Sequence, residues 1–224
     1  MKNLTPLFIF DLDGTIVDSA NEVMVCVNMM RKERGLAPIS KSLIVNKIGH
    51  GAKAIIENVF IDNEEKIEEL VEEFRTYYTN LTTPKTSLFE GATSTLQVLK
   101  NRNCKIALFT NKPKNLCVNV LDDLKLHSFF DYIISNDGRF DNKPSPAAIS
   151  YLVELFKVDK RLCFMVGDTT LDQLSARHAG VNFILFKPGY DDGVRLSLNE
   201  MAIQKFDELI RYSRPLSQGG IVNE

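Results

Sequence analysis

Five short apolar runs, separated by stretches of helical periodicity, set the architecture of this chain. Residues Leu7–Phe10, 105–110, 131–135, 162–167 and Asn182–Phe186 are rich in Ile, Val, Leu and Phe, several of them almost without interruption. That is the pattern of strands buried on both faces of a parallel sheet. The intervening segments repeat every three to four residues. Residues 93–102 put Leu96 and Leu99 on one face, residues 113–126 do the same with Leu116, Val120, Leu121 and Leu124, and residues 146–156 with Ile149, Leu152, Val153 and Phe156. Strand–helix alternation of this kind predicts right-handed βαβ units, and hence a doubly wound, mainly parallel, Rossmann-like α/β core.

The alternation breaks after the first strand. Residues 18–88 carry helical patterning almost throughout, far more than the roughly ten to twelve residues an ordinary crossover needs. The pattern predicts helices over 20–34, ending at Gly35 and Pro38, over 42–60 with a break at Gly49-His50-Gly51, and over 63–78. The last places Ile67, Leu70, Val71, Phe74, Tyr77 and Tyr78 on one face and a run of glutamates on a solvated one. An all-helical cap over 18–85, inserted into a core formed by 1–17 and 86–212, is the expected organisation. Thr82-Thr83-Pro84 would be the return linker, Asp18-Ser19 and 82–85 the hinges, and 213–224 a frayed tail.

Composition narrows the function classes. The chain has 224 residues, 44% hydrophobic and 25% charged, with a net charge of −2. It offers no general attraction for nucleic acid or an anionic membrane, so an anionic ligand has to be drawn by a local site. The apolar runs are too short to cross a bilayer, and no signal-peptide pattern opens the chain. Cys26, Cys104, Cys117 and Cys163 form no CxxC pair; Cys104 and Cys163, in or beside apolar runs, read as reduced core thiols, and thiol catalysis is an open alternative for Cys117. A cytoplasmic protein, monomer or homodimer, is expected.

Candidate chemistry gathers where strands end. Asp11-Leu12-Asp13-Gly14-Thr15 follows the first strand directly. In open α/β sheets the carboxyl ends of strands are where ligands bind. Side chains alternate along an extended chain, so Asp11 and Asp13 project to one side, and two adjacent carboxylates call for a hard cation such as Mg²⁺. Thr110-Asn111 closes the second strand and would set a hydroxyl and backbone N–H groups at the next helix N-terminus, suited to a phosphate oxygen and equally to a helix cap. Lys143, followed by Pro144 and Pro146, offers a fixed positive charge for a phosphoryl group, or sits as an ordinary loop lysine. Gly167-Asp168-Thr169-Thr170-Leu171-Asp172 brings a second pair of carboxylates to complete an oxygen site for the metal.

DxDGT, Thr-Asn, Lys-Pro and GDxxxD, in that order after successive strands, resemble the haloacid-dehalogenase-like superfamily over most of the chain. The helical segment after DxDGT and the Ile-Gly-His-Gly stretch are similar to its phosphoglycolate phosphatase branch, which also holds inorganic pyrophosphatases and β-phosphoglucomutases. Ala148 departs from the third proline common in relatives. The resemblance implies a Mg²⁺-dependent phosphatase acting on a small phosphorylated metabolite. Asp11 would be the nucleophile that forms an aspartyl-phosphate, and Asp13 the general acid and base. Metal ligands would be Asp11, the backbone carbonyl of Asp13 and Asp168, with Asp172 holding a metal-bound water, and Thr110, Asn111 and Lys143 would bind phosphate. His50, Lys47 and Lys53 are candidates for substrate selection, although a glycine-rich break without ligand contact would look the same. A phosphosugar mutase, a pyrophosphatase and, from another class, a phospho-accepting signalling module are the competing expectations.

Overall fold

The computed structural model describes residues 5–61, 66–81 and 86–213. The described residues form eight strands and seven α-helices: β1 Leu7–Phe10, β2 Val17–Asp18, α1 Ala20–Glu33, α2 Ala52–Val59, α3 Ile67–Asn80, β3 Ser87–Leu88, α4 Ala92–Asn101, β4 Lys105–Pro113, α5 Lys114–Asp123, β5 Tyr132–Asn136, α6 Ala147–Phe156, β6 Cys163–Gly167, α7 Thr170–Ala179, β7 Asn182–Phe186 and β8 Met201–Ile203. Six of the strands form one sheet in the order β5-β4-β1-β6-β7-β8, every pairing parallel.

Alternation along β1 explains the layers. Phe8 and Phe10 pack with Leu96 and Leu99 of α4 and Val120 and Leu121 of α5. Leu7 and Ile9 face the other way, toward Ile149 and Leu152 of α6 and Ala176 of α7. All four β1 side chains are fully buried, so the strand can be apolar throughout. From β1 the chain moves outward to β4 and β5 on one side, then crosses to β6 and β7 on the other. The reversal leaves a crevice at the carboxyl ends of β4, β1 and β6, the place where such sheets bind ligands.

Three strands had no signal strong enough to predict. β8 is three residues long at the sheet edge, and β2 and β3 form a two-residue antiparallel ribbon. The 42–60 segment also differs from expectation: two 3-10 turns, Lys41–Leu43 and Val45–His50, precede the shorter α2. Gly51, with φ +91°, ends the second turn, so the helical periodicity read there belongs to three pieces. Helices α1, α2 and α3 nonetheless share an apolar cluster of their own, including Val27, Met30, Ile56, Leu70 and Phe74. The start of the expected 63–78 helix at Asn63, Glu64 and Glu65, the 82–85 linker and the 214–224 tail lie outside the described residues. No described helix is long and apolar enough to cross a membrane.

Candidate active site

At the end of β1, Asp11 stays in register through its N–H to the Val166 carbonyl, while its Oδ1 accepts from Leu12 N at 2.7 Å. The backbone then turns at Gly14, whose φ of +84° few side chains tolerate. Space forbids one as well: a Cβ there would lie 2.1 Å from Asp168 Oδ2. The β1 turn is thus pressed against the β6 turn. Thr15 Oγ1 donates to Asp168 Oδ1 at 2.7 Å, and Tyr190 N donates to Asp168 Oδ2 at 2.8 Å.

Asp172 stands at the third position of α7, where a carboxylate is favoured by the unpaired N–H groups and the helix dipole. Its Oδ2 accepts from Asp168 N, Thr169 N and Thr169 Oγ1, at 3.2, 3.0 and 2.7 Å. Its Oδ1 turns inward to Lys143 Nζ at 2.8 Å, and the same ammonium meets Asp11 Oδ1 at 2.7 Å. Asp11, Asp168 and Asp172 each present a carboxylate oxygen within 4.8 Å of the others, all buried.

Three carboxylates here face one ammonium, and the electrostatics show the excess. Burial pushes Asp11 up to about 7; the Lys143 charge opposes this and Asp172 adds to it. Asp168 is raised well above the carboxylate range by burial, then by Asp172 and Asp11. Burial would lower Lys143, but Asp11 and Asp172 outweigh it and hold the ammonium. An all-oxygen, buried, negatively charged cluster fits a hard divalent cation. Asp11, Asp168 and Asp172 would hold it.

Asp13 has a different neighbourhood from the one its spacing suggests. Its carboxylate takes the Ser19 hydroxyl at 2.5 Å and Lys112 Nζ at 3.1 Å. Each acid of the first motif therefore meets its own lysine. The Asp13 side chain lies outside the cluster of Asp11, Asp168 and Asp172; the expected metal contact for this residue is through its backbone carbonyl.

Lys112 was missed because the second strand was expected to end at Thr110. β4 runs to Pro113, with a register irregularity against β5 after Phe109, and α5 starts only at Lys114. Thr110 and Asn111 are accordingly not at a helix N-terminus. A longer strand would have placed Thr110 and Lys112 on one face by simple alternation. Lys112 Nζ also reaches Tyr78 OH of α3 at 3.0 Å, and Tyr78 OH donates to Glu22 of α1. Asp13 is thereby linked through Lys112 and Tyr78 to α3, far along the chain, and on to α1.

Thr110 is buried beside these acids and lines their cavity. The side chain of Asn111 is engaged in holding loops: its Oδ1 accepts from Lys143 N at 2.8 Å, and its Nδ2 approaches the Gly49 carbonyl at 3.5 Å.

The cavity of about 190 Å³ above the acids is walled by α2, α3 and the 48–51 segment. Gly49 runs so close to the β6 turn that a Cβ would lie 2.8 Å from Thr169 Cγ2. His50 lines the cavity, but its Nε2 is 2.6 Å from Asp192, which also binds Thr170 N and Oγ1. Lys53 lines the mouth, exposed, with Glu57 at 3.8 Å. Lys47 is not among the lining residues. Tyr190 OH takes Ser19 N and Ala20 N and donates to Asp18, pinning the first expected hinge to the core. The four cysteines are free and buried, and burial raises the Cys117 thiol to about 12, away from the thiolate that a nucleophile needs.

The haloacid dehalogenase-like hydrolases match the chain over residues 8–186. A phosphoglycolate phosphatase of Aquifex aeolicus is 33% identical over 184 residues, 82% of this chain and 85% of that protein. One of Pseudomonas fluorescens is 31% identical over 197 residues, 85% of this chain and 72% of the relative. Among solved structures, one described as a predicted phosphoglycolate phosphatase from Haemophilus somnus superposes with a TM-score of 0.84 at 23% identity, covering 95% of this chain and 99% of its own. At that identity the likeness speaks for the fold.

Proposed function

From the premise that the chain belongs to the haloacid dehalogenase-like hydrolases, we propose that it is a Mg²⁺-dependent phosphatase of a small phosphomonoester, phosphoglycolate first among the candidates. The observation that carries this reading is the meeting of Asp11, Lys143, Asp168 and Asp172 at the strand ends, with Asp11 also lining the cavity under the helical insert. The relatives named as phosphoglycolate phosphatases support the choice of substrate.

In the proposed reaction an Asp11 oxygen attacks phosphorus and the bond to the leaving alkoxide breaks, giving an aspartyl-phosphate. Asp13 gives the leaving oxygen its proton, then takes one from the water that cleaves the phosphoenzyme. The Lys112 ammonium and Ser19 hydroxyl fix the direction of the Asp13 carboxylate. Lys143, Thr110 and the backbone near it spread the charge on the transferring phosphoryl group. A divalent cation on Asp11, Asp168 and Asp172 would offset the repulsion among these acids and share that charge when bound.

The helical insert acts as a cap that excludes water, on a core of 1–17 and 86–212. Four buried, unpaired thiols support a reducing compartment such as the cytoplasm. The test is phosphate release from a panel of phosphorylated metabolites, with and without Mg²⁺. Release that needs Mg²⁺ and is fastest with phosphoglycolate supports the reading. No release from any ester contradicts it.

A further inference from the structure

Resting on that reading, we propose that Tyr78 is a positioning residue for the proton transfer: its hydroxyl holds the Lys112 ammonium, and through it the Asp13 carboxylate that protonates the leaving oxygen. A lysine is a flexible stem ending in three N–H donors, and on its own it fixes nothing. Here the three donors find three acceptor oxygens. Lys112 Nζ meets Asp13 Oδ1 and Oδ2 at 3.1 and 3.2 Å, and Tyr78 OH at 3.0 Å. The whole Lys112 side chain is buried, 7% exposed.

The Tyr78 hydroxyl is itself held in one direction. It donates to Glu22 Oε2 at 3.1 Å, which leaves its lone pairs to accept from Lys112. Glu22 is fixed in turn by the Thr86 hydroxyl. Burial raises the Tyr78 phenol to about 12, so it keeps its proton at neutral pH and with it this polarity. Burial would lower Lys112, but the Asp13 charge outweighs it and keeps the ammonium. That ammonium also lies 4.7 Å from the centre of the Tyr78 ring, within reach of its π face. Donor and acceptor thus alternate from Tyr78, between Glu22 and Lys112, down to Asp13.

Asp13 has one other side-chain anchor, the Ser19 hydroxyl, and it bonds Oδ1. Among the described residues, Oδ2 accepts from Lys112 Nζ alone, so the orientation of the carboxylate depends on where that ammonium stands. The two lysines of the site differ in this respect. Lys143 takes its carboxylates from Asp11 and Asp172, both of the core, whereas the third acceptor of Lys112 comes from α3 of the helical insert. Asp11, Asp13, Lys112 and Tyr78 line one cavity, and Tyr78 also lines a second of about 110 Å³ beside Glu22 and Thr86. Tyr78→Phe keeps the ring in both walls and removes only the hydroxyl.

The experiment measures kcat/KM for p-nitrophenyl phosphate, phenyl phosphate and phosphoglycolate in the wild type and in Tyr78→Phe, with Mg²⁺ present. The leaving groups need a proton increasingly in that order, whereas attack by Asp11 is common to all three. The variant should stay within about twofold of the wild type on p-nitrophenyl phosphate and lose about 10-fold on phosphoglycolate, with phenyl phosphate between, a part of the roughly 10²–10⁴-fold that a positioned general acid contributes. Because Tyr78 acts through the ammonium, Tyr78→Phe should add little to the loss on phosphoglycolate in Lys112→Met. Equal losses on all three esters, no loss on any, or a full further loss in the double variant overturns the assignment of Tyr78 and leaves the phosphatase reading standing. If the wild type hydrolyses none of the three, the phosphatase reading falls, and this inference with it.

Discussion

Lys143 is the side chain on which the buried charges most depend. Two carboxylates, Asp11 and Asp172, are within 2.8 Å of its ammonium. Removing one member of a buried ion pair costs about 3–5 kcal/mol of stability, because the partner stays buried without compensation. Losing one preorganised charge in the transition state costs about 2.7–4 kcal/mol, or roughly 10²–10³-fold in kcat. Lys143→Met should therefore lower both the melting temperature and kcat. Thermal melts beside initial rates would show it, and full activity in the variant would reduce Lys143 to a structural residue. Lys112→Met should act more narrowly. It removes the ammonium beside Asp13 but leaves Asp11, Asp168 and Asp172 intact, so kcat should fall while Mg²⁺ affinity, read by calorimetry, stays near wild type. The two lysines were unequally legible. Lys143 is marked by the prolines beside it, whereas Lys112 takes its meaning from Asp13 and Tyr78, 99 and 34 residues away in the chain.

Among the elements, the strands that carry the site were legible because they are buried on both faces, and continuous apolar runs have few other uses. β8, β2 and β3 are too short to leave a pattern. The 45–50 turn is the more instructive case. Its apolar spacing resembles a helix, yet Gly49 and Gly51 let it pass close to Thr169 and then reverse. Gly49→Val should push this segment from the β6 turn, since a Cβ would already be 2.8 Å from Thr169 Cγ2. Misplacement of reacting groups by about 1 Å can cost roughly 10²-fold. We expect kcat/KM to fall by about 10–100-fold with far-ultraviolet dichroism unaltered; a variant as active as the wild type would mean that the close approach has no part in turnover.

For the whole molecule, the excess of buried negative charge predicts how stability varies with pH. Asp11, at about 7, and Asp168 both have raised values when folded. A raised carboxylate binds its proton more tightly in the folded state. Its contribution is complete below the ordinary value near 4 and is lost as pH rises through the folded value. Glu200 runs the other way: burial raises it, but bonds from Arg177, Ser197 N and Gln173 bring it down to about 2, so its effect falls below about pH 4.5 and does not oppose the trend. Metal-free protein should melt at a lower temperature at pH 8 than at pH 5, and Mg²⁺ should raise the melting temperature more at pH 8. A metal-free protein that gains stability across that range would contradict the charge balance described here.

The central claim is that Asp11 accepts the phosphoryl group, and the Asp13→Asn variant tests it most directly. p-Nitrophenyl phosphate has a leaving group that needs no proton, so the first step can proceed in this variant, while the second lacks its base. Rapid mixing with Mg²⁺ should give a burst of p-nitrophenolate equal to the enzyme concentration, followed by slow turnover. Mass spectrometry of the acid-quenched enzyme should find the phosphoryl group on the peptide containing Asp11. A burst that persists in the Asp11→Asn/Asp13→Asn double variant, or a phosphoryl group on another residue, would contradict the account.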